Sequence, residues 1–194
     1  MSVLIAIDPG VSGGVAVAAF GKTFCHAMPA TEGDRLELIR DLHRSAEIEG
    51  VEGVCVLEQV GGFVGKGQPG SAMFKFGEHF GFIKGVVQTL GIKLVLVRPQ
   101  VWQKSFNLGT ASSCASKTEW KNKLKAEAQR RFPHLTVTLA TADALLILEW
   151  VRAARATRET RTAISAARAT AAQSQTISTV DACPRPMSDN KQKK

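Results

Sequence analysis

Val3–Asp8 reads VLIAID, an apolar run that ends on a carboxylate. Pro9-Gly10 breaks the run, and Ser12-Gly13-Gly14 supplies a flexible turn. A second apolar run covers Val15–Phe20 and a third covers Thr23–Met28, each after a short Gly-containing turn. Three such runs in succession predict an antiparallel meander whose first strand delivers Asp8 to its end. Gly53–Val60 (GVCVLEQV) is a further buried strand, again with a carboxylate, Glu58, near its C-terminal end.

Helical periodicity fills the intervals. Leu38, Leu42 and Ala46 recur every four residues within Asp34–Ile48. A glycine-rich loop from Gly61 to Gly70 leads into a long helix from Ser71 to about Leu90. Lys93–Val97 reads as a strand closed by Pro99, and Trp102–Phe106 as a helical turn. Ser116–Phe132 is a patterned helix stopped by Pro133, and a last core helix lies around Ala142–Val151. Strands first, then strands alternating with helices, indicate an α/β domain with a mixed sheet.

Composition changes after about residue 152, where Ala, Thr, Ser and Arg dominate and large apolar groups are scarce. The expected organisation is a domain over 1–151 and a basic low-complexity tail over 152–194, mobile or partly helical. The net charge of +8 concentrates in two places, residues 98–131 and the segment 151–194, each with six more basic than acidic side chains. Clustered basic charge suits a polyanion partner, although a solvated basic surface is the plain alternative. Cys25, Cys55, Cys114 and Cys183 are too dispersed for a CxxC site and read as reduced thiols. The longest apolar runs, such as Ala144 to Leu148, are too short to cross a bilayer, and no membrane partner is expected. The N-terminus opens directly into a strand-like run with no basic region and no cleavage signal, so the expected location is cytoplasmic, with an organelle left open.

Three acids occupy positions unsuited to ordinary solubilising residues. Asp8 ends an apolar strand, Glu58 follows Val54-Cys55-Val56-Leu57, and Asp143 lies in the apolar Thr141–Leu146 stretch. A carboxylate placed among apolar neighbours is costly unless something pairs with it. A divalent cation is a natural partner for several acids brought together, and Mg²⁺ prefers oxygen ligands. Each acid also has a plainer reading. Asp8 before Pro-Gly could form a turn, and Asp143 could answer a helix macrodipole. Glu58 has no such alternative.

IAIDPGVSGGVAV resembles the opening of RuvC-type Holliday junction resolvases, and LEQVGGF resembles their second motif. SAMFKFGEHFGFIKGVV, RPQVWQKSF, and SKTEWKNKLKAEAQRRFP followed by ADALLI are similar to the later segments, especially of the phage and plant-organelle branches. The resemblance spans roughly residues 3–150 in order. It implies an RNase H-like fold with a mixed five-stranded sheet flanked by helices. It implies Asp8, Glu58 and Asp143 as ligands of Mg²⁺ or Mn²⁺, with no small-molecule cofactor. It further implies a homodimer that nicks two strands of a four-way DNA junction. Lys117 matches a family lysine near the scissile phosphate, where an ammonium could stabilise developing charge.

One departure stands out. The family usually carries a fourth acid three or four residues before the position of Asp143, where this chain has Ala140 and Leu139. Glu149 is nearly on the opposite side of a helix from Asp143 and is a poor substitute. His134 is a possible replacement, although imidazole suits Mg²⁺ badly. The second metal position is therefore in question, and a catalytically impaired junction binder stands as the alternative function.

Surfaces for DNA can be named as well. Trp120, Leu124, Ala128 and Phe132 form an apolar seam, with Lys117, Lys121 and Lys125 as a ridge beside it. Lys104, in RPQVWQKSF, is assigned to the same DNA-facing set. Phe63, five residues beyond Glu58, could stack on an unpaired base or pack into the core. Gly77, Gly81 and Gly85 recur every four residues, which suits either a subunit interface or close packing on the sheet. The tail is expected to add nonspecific affinity for DNA. An actin-like nucleotide binder and an RNase H-like nuclease of another kind are the remaining readings. The first is disfavoured by chain length, the second by the motifs after residue 70.

Overall fold

The computed structural model describes residues 2–59, 61 and 70–158. Two units divide the chain, Met1–Arg152 and Ala153–Lys194. The first unit holds the sheet. Strands β1 (Ser2–Asp8), β2 (Gly14–Ala19), β3 (Lys22–Ala27), β4 (Glu52–Glu58) and β5 (Lys93–Val97) form it in the order β3-β2-β1-β4-β5. β1, β2 and β3 pair antiparallel, whereas β4 and β5 run parallel to β1. The meander and the mixed five-stranded sheet are thus both as expected.

Helices cover both faces, which is why β1 and β4 are apolar at nearly every position rather than alternately. On one face, Leu4, Ala6, Ala16, Val54 and Val56 pack with Trp102, Trp120, Leu124, Ala128 and Leu145. On the other, Val3, Ile5, Ile7, Val15, Cys55 and Leu57 pack with Ile39, Leu42, Ile83 and Val87. The helices of the second face are α1 (Glu32–Ile48) and α2 (Gly70–Thr89). Those of the first are α3 (Pro99–Lys104), α4 (Lys117–Arg131) and α5, which occupies residues 142–152 of this unit.

Local chemistry sets the boundaries. α1 begins two residues before the expected Asp34, because the Thr31 hydroxyl accepts from the Asp34 N–H and donates to its carboxylate. β4 stops at Glu58, short of the expected Val60. α3 starts at Pro99, a residue preset for a helix's first turn, and ends before the expected Phe106. Ser116 caps α4 by accepting from the Glu119 N–H at 3.1 Å. Thr138 and Thr141 cap the start of α5 reciprocally, each hydroxyl accepting the other's backbone N–H. Residues 144–148 of α5 are wholly buried, so this stretch of the helix is apolar all round and lies inside the first core.

Cys55 is buried and its thiol is pushed up to about 12 by burial, as befits an inert core thiol; Cys25 and Cys114 are also free. In the second unit, residues 153–158 are helical. Phe63 and the rest of the tail fall outside the described residues. Among the described residues, no helix is long and apolar enough to cross a membrane.

Leu145 is fully buried in the core beneath the acidic end of the sheet. Leu145→Ala should cost about 2–5 kcal/mol of stability, through lost burial and the cavity left behind. Urea denaturation checks this; a loss under about 1 kcal/mol would show that α5 is not packed into that core.

Candidate metal and nucleic-acid site

Side chains alternate between the faces of a strand, so residues of equal parity share a face. Asp8 has the parity of Leu4 and Ala6, and Glu58 that of Val54 and Val56, all four of which belong to the first core. β1 and β4 are parallel with Ile7 opposite Leu57. One further residue along each strand brings Asp8 and Glu58 side by side, at the C-terminal edge and on the face that α5 covers. Asp143, near the start of α5, is 4% exposed. Strand parity, strand register and one helix thereby bring together three acids that lie far apart in the chain.

Each carboxylate is held differently. The Asp8 Oδ1 accepts from the Gly10 N–H at 3.0 Å, so the residue does form the Asp-Pro-Gly turn that its sequence context allows. Its carboxylate also lies so close to Gly13 that a Cβ there would stand 2.7 Å from the Asp8 Cγ. A Cβ on Gly14 would meet the carbonyl oxygens of Ala140 and His26 at 2.7 and 2.8 Å. The two glycines are therefore what let β2 and the Ala140 backbone close around Asp8. Glu58 Oε1 accepts from the Trp102 indole N–H at 2.9 Å, and Trp102 is itself fully buried. Asp143 Oδ2 accepts from the Lys121 ammonium, whereas its buried Oδ1 has no partner among the described residues.

The charges of the acids also bear on one another. Burial, and next the charge of Asp143, hold the Asp8 carboxyl above the usual carboxylate range. Burial, and next the charge of Asp8, push Glu58 up to about 8 despite the Trp102 hydrogen bond. Burial alone would lower the Lys121 ammonium, but Asp143, Asp8 and Glu58 together raise it. Such mutual perturbation in one corner is typical of functional sites.

The donors suit a hard divalent cation: three carboxylates, no sulfur or imidazole, and one orphaned buried oxygen, Asp143 Oδ1. Among the described residues, no three His, Cys, Asp or Glu side chains are grouped so that they could hold a metal ion as they stand. Lys121 supplies the positive charge instead. The positions of the absent fourth acid lie close by but offer nothing to a cation. Leu139 is 46% exposed, and Ala140 turns its carbonyl toward Gly14.

The other named residues are more dispersed. Lys117 opens α4 and is exposed, while Lys125 is half-buried on the same helix. Lys104 is exposed and lines a groove of about 730 Å³ with Gln103, Asn107 and Thr110. His134 and Glu149 line a different groove, of about 620 Å³, with Lys22, Arg131 and Arg152. Sequence reasoning placed Lys121 only on a DNA-facing ridge and gave Trp102 and Gly13 no part in the site. Lys121 had a signal, one helical turn beyond Lys117. Trp102 had none, since its contact with Glu58 crosses 44 residues.

A carboxyl that the fold holds protonated binds its proton more tightly than in the unfolded chain, where Glu58 has the usual 4.5. In chelator, stability should therefore fall as pH rises from about 4.5 to about 8 and level off above that. Glu58→Gln should flatten the fall, as read by thermal midpoints across that range. An unchanged slope in the variant would contradict the raised Glu58.

No protein-family model and no curated protein matches the chain. Among solved structures, the chain is similar to Thermus thermophilus RuvC in complex with Holliday junction substrate, at 15% identity and a TM-score of 0.49. That likeness covers 77% of this chain and 92% of the other. A second Thermus thermophilus RuvC structure is similar at 16% identity and a TM-score of 0.47, covering 76% and 92%.

Proposed function

We propose that this chain is a divalent-metal-dependent endonuclease that resolves four-way DNA junctions. The observation that carries the reading is the trio of buried Asp8 and Asp143 and half-buried Glu58 at the sheet edge, with Asp143 Oδ1 unpartnered among the described residues. These three would hold Mg²⁺, or Mn²⁺ in its place. When bound, the ion supplies Lewis acidity toward a phosphodiester oxygen. The chain's own work is to hold the acids still. The Gly10 N–H orients Asp8, the Trp102 indole orients Glu58, and the glycines at 13 and 14 keep the turn closed. Lys104, Lys117 and Lys125 would meet phosphates, and contacts of that kind read shape rather than sequence.

A homodimer accounts for paired cuts. The outer face of α2 carries Phe74, 71% exposed, and a Cβ on Gly77, Gly81 or Gly85 would meet nothing within 4 Å among the described residues. Such an open glycine face would let a second helix approach closely. The competing reading is a protein that binds junctions without cutting them. It is favoured by Leu139 and Ala140, which leave the site one acid short of the family pattern.

The test uses a labelled four-way junction with Mg²⁺ or Mn²⁺. The wild-type chain should nick opposing strands symmetrically, and Asp8→Asn and Asp143→Asn should bind the junction without cutting it. Tight binding with no nicking in either metal would establish the binder instead. Equal cutting of linear duplex would reject junction specificity.

A further inference from the structure

We propose that the Lys121 ammonium is a tethered cation of the carboxylate cluster, competing with a divalent ion for Asp143 and limiting the site to one ion per chain. The inference rests on the metal-binding reading of Asp8, Glu58 and Asp143 and goes beyond it.

Lys121 reaches Asp143 Oδ2 from α4, a separate helix, at 2.5 Å. The pair is unequal: the Asp143 side chain is 6% exposed and that of Lys121 34%. The carboxylate is therefore enclosed, while the lysine side chain stays partly open to solvent. Trp120 and Leu124 anchor α4 in the first core, so the lysine's backbone cannot retreat. Its four-carbon stem can, because its bonds rotate freely. The ammonium also feels Asp8 and Glu58, so its charge belongs to the whole cluster rather than to one ion pair.

Formal charge then sets the stoichiometry. A bound cation displaces the protons that the empty cluster holds, and the three carboxylates and one ammonium then sum to two negative charges, which a single divalent ion neutralises. A second ion would leave two uncompensated positive charges in a corner with little water, an expensive arrangement. Where the family pattern has a fourth acid, Leu139 and Ala140 contribute no negative charge. Asp143 Oδ1 remains buried and unpartnered, open to an ion while the lysine holds Oδ2.

Mn²⁺ binding to the full chain, measured by calorimetry, tests this with Lys121→Met, which keeps the stem and removes the charge, and Lys121→Arg, which keeps the charge. The wild-type chain should bind one ion. Lys121→Met should bind Mn²⁺ about tenfold more tightly or better, the value of losing one charge-assisted hydrogen bond to a competitor. Its thermal midpoint in chelator should drop below that of the wild type. Lys121→Arg should stay near the wild type in both measurements. Unchanged or weaker Mn²⁺ binding by a folded Lys121→Met, or two ions in the wild type, would overturn the competition while leaving the nuclease reading intact. Absence of Mn²⁺ binding in all three folded proteins would overturn both.

Discussion

Three carboxylates cannot share one dry corner of a protein without positive charge among them. Each ionised acid raises the cost of ionising the next, and burial raises it further. At the C-terminal edge of β1 and β4 the fold nevertheless gathers Asp8, Glu58 and Asp143, burying the first and last and half-burying Glu58. The visible consequences are a Glu58 pushed up to about 8 and a Lys121 drawn in from α4 to ion-pair with Asp143. A core assembled only for stability would favour apolar side chains at these positions, since buried charge seldom stabilises a fold.

The rest of the architecture serves that corner. Parallel pairing of β1 with β4 sets Asp8 beside Glu58, and the antiparallel turn into β2 brings Gly13 against the Asp8 carboxylate. α5 is apolar over its buried turns except at Asp143, so the helix that seals the first core also inserts the third acid. Trp102 joins the core to the site, with its ring packed near Phe106 and its N–H on Glu58. A single packing arrangement thus fixes both the sheet and the chemistry.

Much of this was legible in the chain. The apolar run ending in Asp8 and the one reaching Glu58 announced buried strands with carboxylate tips, and strand parity is a local property that any register preserves. The pairing order, and with it the meeting of those tips, came from the ordered motifs rather than from periodicity. Element ends shifted by a few residues where a cap decided them, as Thr31 does for α1. Contacts across long sequence separations were not legible. Nothing near Trp102 points to Glu58. Lys121 lay on a ridge of three lysines of which only the structure distinguishes one, because the spacing of a helix shows which residues share a face and not which of them meets a neighbouring element.

The most direct measurement is an anomalous difference map from crystals of the full chain soaked in Mn²⁺. A peak bounded by carboxylate oxygens of Asp8, Glu58 and Asp143 is expected, with Lys121 displaced from its present contact or sharing Asp143 with the ion. A map with no manganese at that edge of the sheet, under saturating Mn²⁺ and with all three side chains ordered, would contradict the cation-binding site on which the nuclease reading stands.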